Sequence, residues 1–148
     1  MYTHLLIAVD GSELAEKGAR HGLALAKPLG AKVTVLTVTE PLGALAMEAA
    51  IAGGVRDPLV SYDLQMDEHV HRIDQTISAH AEELGVEIEL ARETDESPAE
   101  AIVRAAQLKE CDLIVMASHG RRGLNRLLLG SQTTKVLAST TIPVLVVR

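Results

Sequence analysis

The sequence predicts an α/β fold: one domain over residues 1–148, built as an open, twisted, parallel five-stranded sheet with helices on both faces. Short apolar runs rich in Val, Ile and Leu alternate with longer stretches of helical periodicity, the pattern of parallel strands joined by crossover helices. Two helical stretches end in Leu-Gly, at Leu29-Gly30 and Leu84-Gly85, each followed shortly by an apolar run. At 148 residues the chain is long enough to bury a real core.

Residues 5–9 are continuously apolar, as expected of a central strand covered on both faces, and the run stops at Asp10-Gly11-Ser12. Ser12 caps a helix that reaches about Leu29, with Ala15, Ala19, Leu23 and Ala26 at helical spacing and Gly30 as its left-handed stop. Val33, Val35, Leu36 and Val38 form a second strand, ending near Thr39-Glu40-Pro41. Residues 41–58 carry Gly43, Gly53 and Gly54 around an Ala-rich patch and read as a loop with a helical turn. From about Leu59 a long helix follows, on the stripe Met66, Val70, Ile73, Ile77, Ala81 and Leu84, closed by Gly85. Val86, Ile88 and Leu90 alternate with Glu87, Glu89 and Ala91, which predicts a strand near an edge with one wetter face. Ser97-Pro98-Ala99-Glu100 has the capping-box spacing and opens a helix to about Lys109. The last strand spans residues 142–147.

The most informative stretch is 112–137. The apolar run Leu113 to Ala117 stops at Ser118-His119-Gly120-Arg121-Arg122-Gly123, and Gly130-Ser131 then opens a helix with Ser131 expected at its N-cap. A helix start presents unpaired N–H groups and the positive end of a dipole, and a preceding glycine lets a ligand reach the backbone, so the unit suits phosphate. With Ser131 as cap, the third helical residue is Thr134, and no carboxylate fills the place that Glu100 holds in the other helix. From Leu113 to Arg148 there is no Asp or Glu, whereas Arg121, Arg122, Arg126, Lys135 and Arg148 add five positive charges. Set against a net charge of −6, that leaves −11 on Met1 to Asp112, so the segment is a local anion field in an acidic protein.

Composition excludes other classes. There is no Trp or Phe and only two Tyr, so base-stacking platforms for single-stranded nucleic acid are missing, and the acidic balance disfavours polyanions. No apolar run is long enough to span a bilayer and the chain opens on a strand instead of a signal sequence, so the expected location is cytoplasmic. The single Cys111 has no partner for an internal disulfide. His69 and His71 stand two apart, on different faces of a helix, and make a poor metal pair. Signatures of P-loop ATPases, dinucleotide oxidoreductases and serine hydrolases are absent, and no general base is paired with an attacking water.

The stretch resembles the universal stress protein family, in particular its ATP-binding branch, whose pattern Gly-x2-Gly-x9-Gly-Ser/Thr reads here as Ala117-x2-Gly120-x9-Gly130-Ser131. The opening run through Asp10-Gly11-Ser12 and the closing run from Ile142 match the family as well. The resemblance implies a Rossmann-like sheet of order 3-2-1-4-5 whose switch point lies between Asp10 and Ala117, where ligands bind in doubly wound sheets. The expected nucleotide-binding residues are Ala8, Asp10, Val38, Met116, Ala117, His119, Gly120, Arg121, Gly130, Ser131, Gln132 and Thr133. Asp10 either accepts hydrogen bonds from ribose hydroxyls, or holds a Mg²⁺ on ATP, or caps the first helix with Ser12. Val38 and Met116 wall the adenine or are simply core; only the resemblance favours the first. Arg121, Arg122 and Arg126 reach outer phosphates or are solvated, and His119 bonds a phosphate or its own loop. Ala117 stands where the family pattern has glycine and is expected to keep an ordinary extended φ.

The expected function is an ATP-binding, nucleotide-dependent regulator or sensor of the stress response, with an unidentified protein partner. Its rivals are an interaction module of the same fold without nucleotide, and a slow ATP hydrolase or phosphotransferase. The apolar, β-branched last strand is expected to be a sheet edge that pairs with its copy in a homodimer, a mode the resemblance also implies.

Overall fold

In the computed structural model, which describes residues 1–121 and 128–148, the order of elements is β1 (His4–Val9), α1 (Glu13–Leu29), β2 (Lys32–Thr39), α2 (Ala44–Ala52), α3 (Pro58–Leu84), β3 (Ile88–Thr94), α4 (Pro98–Leu108), β4 (Leu113–Ala117), α5 (Ser131–Ser139) and β5 (Val144–Val147). The strands form one parallel sheet in the order β3-β2-β1-β4-β5. The predicted class and topology are therefore those observed. The central strand aligns Ile7 with Val35 on one side and Val115 on the other.

The sheet separates two cores. Leu5, Ile7, Val9, Val35, Val115 and Ala117 pack beneath α1 and α3, whereas Leu6, Leu36, Ile114 and Met116 pack beneath α4 and α5. Two glycines on α1 face the sheet with different clearances. A Cβ on Gly18 would meet only ordinary contacts, but one on Gly22 would lie 2.7 Å from Ile7 Cδ1 and 3.1 Å from Ile7 Cγ1. Ile7 is fully buried and has little room to swing aside. At the opposite end of β1, Asp112 ties the strand down: its Oδ2 accepts from the Thr3 N–H and hydroxyl, each at 2.8 Å, and its Oδ1 from the His4 N–H at 3.0 Å.

Four expectations need correction. Residues 41–58 hold a nine-residue helix, α2, in place of a loop with a turn. None of its residues is buried, so it forms on Ala and Leu propensity without any apolar stripe for the sequence to show. The third strand starts at Ile88, two residues later than expected, because Gly85 at φ 65° closes α3 and the Val86 N–H is used on Ala81 O. Its expected buried face fails at Leu90, which is exposed beside an open crevice between α3 and β3, while Ala91 packs on the opposite core. The last strand starts at Val144, since the Ile142 N–H turns back to Thr140 Oγ1 at 3.0 Å. Ala117 has no positive φ, as expected; the one described non-glycine residue in that region is Glu110, at 55°.

Gly18→Ala should stabilise the fold by up to about 1 kcal/mol through helix propensity, while Gly22→Ala should destabilise it by about 1–3 kcal/mol through overpacking against Ile7. Urea unfolding of the two variants beside the parent checks the opposite signs.

Candidate functional site

The site forms where β1 and β4 diverge. Asp10, just past β1, accepts at Oδ1 from the Ser12 N–H at 2.9 Å and at Oδ2 from the Arg121 N–H at 2.9 Å. The first bond shapes the turn into α1, together with Gly11 at φ 86° and the Ser12 Oγ that accepts from Ala15 N at 3.1 Å. The second fastens the loop after β4 to the end of β1. Gly120 has no side chain because Asp10 Oδ2 stands where its Cβ would be. One Asp10 oxygen thus serves the turn into α1, whose N-cap is Ser12, and the other serves the loop after β4.

The loop after β4 is closed at its base. Gly130 N donates to Ser118 O at 2.7 Å, and a Cβ on Gly130 would press on His119 Cα at 3.0 Å. Thr133, 2% exposed, donates through Oγ1 to Ala117 O at 2.9 Å, which joins the first turn of α5 to the end of β4. Gly130, not Ser131, is the N-cap of α5: its backbone is extended while Ser131 is already helical. Ser131, Gln132 and Thr133 are therefore the first three helical residues, and among the described residues no side chain caps the helix. Among the described residues their backbone N–H groups have no acceptor. Three unpaired donors at the positive end of a helix, behind a glycine, make an anion-binding geometry.

The contrast with α4 is stronger than the spacing predicted, with one correction. Ser97 Oγ accepts from Glu100 N, but the Ser97 N–H is taken by Asp95 Oδ1 at 2.8 Å, so the reciprocal half of the capping box is made by Asp95 and not by Glu100. Ala99 N donates to Gln132 Oε1 at 3.0 Å. The Gln132 side chain therefore serves α4, leaving its backbone N–H for the site.

The remaining predicted residues divide between the sheet and the loop. Ala8, Val38 and Met116 lie on the face beneath α4 and α5, with Met116 buried and Ala8 and Val38 half-buried at its margin. His119 contacts its own loop, Nδ1 lying 3.2 Å from Ser118 Oγ. Arg121 is exposed, and its Nη1 reaches His69 Nε2 on α3 at 3.3 Å. Arg122, Gly123 and Arg126 lie outside the described residues. Both Asp10 oxygens already hold backbone N–H groups, and among the described residues no cluster of three or more His, Cys, Asp or Glu side chains offers a metal site. No described helix is long and apolar enough to cross a membrane.

The whole chain, residues 1–148, matches the model of the universal stress protein family. The chain belongs to the universal stress protein family. It is 33% identical over 151 residues to a universal stress protein of Thermus aquaticus, with full coverage of both chains. Among solved structures it is similar to MJ0577 of Methanocaldococcus jannaschii, with a TM-score of 0.78, 27% identity and coverage of 99% of this chain and 96% of that one. The universal stress protein of Archaeoglobus fulgidus solved in complex with dAMP shares the fold at a TM-score of 0.65, with 21% identity and coverage of 99% and 98%.

His69 is the site-adjacent residue that sequence reasoning sets aside. Its imidazole sits over Gly11, where a Cβ would lie 2.9 Å from Cε1. Burial pushes its pKa down from 6.5, the Arg121 and Arg72 charges push it the same way, and the Asp10 carbonyl and carboxylate oppose them. The fold thus favours the neutral ring over the charged one. Its contribution to stability is fully present above the unfolded pKa and is lost as pH falls through the lower folded pKa, because the unfolded chain then binds the proton more readily. In an NMR titration His69 should protonate below pH 6.5. Arg121→Gln should move that midpoint upward.

Proposed function

We propose that this chain binds ATP and related adenine nucleotides at the sheet's switch point and acts as a nucleotide-dependent regulator or sensor of the stress response. One observation carries the reading: the uncapped N-terminus of α5, with Gly130 held against the His119 backbone and the Ser131, Gln132 and Thr133 N–H groups unpaired among the described residues. The phosphates lie on those donors and on the Ser131 hydroxyl, in a segment without a single carboxylate. Ala8, Val38 and Met116 supply an apolar margin for the adenine. The dAMP complex of the Archaeoglobus fulgidus relative supports an adenine nucleotide as the ligand class. Mg²⁺ travels with ATP on its phosphates, since Asp10 is engaged by the turn and the loop. ATP turnover is slow and incidental, because the described residues offer binding groups and no positioned base for water.

The protein acts as a homodimer through β5. That strand pairs with β4 on one side only, and Val144, Leu145 and Val146 remain half-buried at the sheet's edge. A two-fold partner pairing along the same edge satisfies both copies.

Ser131→Asp tests the nucleotide reading better than a change at Gly130, where any side chain strikes His119. Aspartate in the first turn favours the helix dipole, so thermal stability should hold or rise, while calorimetric ATP affinity should fall by about tenfold or more. Unchanged affinity would remove α5 from the site. Val146→Lys should halve the mass seen by light scattering at micromolar concentration, and an undiminished mass would place the interface elsewhere.

A further inference from the structure

Three elements distant in sequence meet at one guanidinium. The turn after β1 supplies Gly11 and Asp10, α3 supplies His69, and the loop after β4 supplies Arg121. Arg121 is exposed and would otherwise sample many rotamers, yet it is held at two points. Its backbone N–H is on Asp10 Oδ2 at 2.9 Å, and its Nη1 is 3.3 Å from His69 Nε2. The second contact requires the His69 ring to sit close over the turn, which it does only because Gly11 has no Cβ. A guanidinium has five N–H donors, and His69 takes one. Among the described residues no acceptor is shown for the others, which can meet an outside one.

We propose that His69 is a positioning residue of the nucleotide site, holding Arg121 in the rotamer from which it meets the outer phosphates of ATP. The proposal rests on the nucleotide reading given above and extends it to a residue that touches no ligand. An arginine fixed before binding loses less side-chain freedom on meeting the phosphate, so its interaction appears more fully as affinity. His69 acts as the acceptor in this contact, and a residue that keeps an acceptor at the same reach replaces it. Gln does so through Oε1; Leu fills similar space without an acceptor.

The test compares His69→Leu and His69→Gln with the parent by calorimetry against ATP and against AMP, both in the full chain. His69→Leu should weaken ATP binding by about three- to tenfold, the scale of one lost hydrogen bond, and leave AMP binding within about twofold. His69→Gln should restore ATP affinity to within about twofold of the parent. In the Arg121→Gln background, His69→Leu should have no further effect, because the two residues act as one unit. Equal loss for ATP and AMP, no rescue by Gln, or additive losses with Arg121→Gln would each overturn the role. A second measurement does not depend on nucleotide: exchange of the guanidinium N–H protons of Arg121 should quicken in His69→Leu and match the parent in His69→Gln. If no variant, parent included, binds ATP, the nucleotide reading fails; unchanged Arg121 exchange in His69→Leu overturns the tether itself.

Discussion

The carboxylate of Asp10 is the constraint on which the site depends. In a parallel sheet the ends of β1 and β4 separate as their connections leave for opposite faces, and nothing in the strand ladder holds the two following loops together. Asp10 does so with two bonds, one to Ser12 N and one to Arg121 N, and Gly120 is glycine because that carboxylate needs its space. The closure continues through Ser118 O to Gly130 and through Thr133 Oγ1 to Ala117 O. Each bond uses a backbone group that the strand or helix end leaves unpaired. What these bonds fix is the position of the first turn of α5 relative to β4.

That placement explains why two helices on the same face behave differently. α4 begins with its donors satisfied locally, by Ser97, Asp95 and the Gln132 side chain, and Arg104 pairs with both Glu93 and Asp95 beside it. α5 begins after a glycine that offers no side chain, in a stretch with no acid, and its first three N–H groups find no acceptor among the described residues. The Gln132 side chain links the two, capping one helix while its own backbone stays with the other. An acidic protein thereby keeps one place suited to an anion.

Most of the fold is legible in the sequence because its signals are local. Continuous apolar runs mark β1 and β4, the spaced Val33, Val35, Leu36 and Val38 mark β2, and glycines mark the left-handed ends of α1 and α3. α2 escapes because it buries nothing and so shows no stripe, and the start of β3 is hidden because Val86 is spent on closing α3. In the site, Gly120, Gly130 and the acid-free segment can be read from spacing. The same spacing sets the cap of α5 one residue late, since a serine after a glycine looks like a cap until the backbone shows Ser131 already helical. The Asp10 latch and the His69 contact leave no local trace, because their partners lie 111 and 52 residues away along the chain.

Whether the first turn of α5 is the ligand's anchor is tested most directly by backbone amide chemical shifts during titration with ATP. Ser131, Gln132 and Thr133 should show the largest shifts, with smaller ones at Gly120, Arg121 and the ends of β1 and β4. Saturating ATP that leaves those three amides unmoved, or moves chiefly residues at the other end of the sheet, would contradict it.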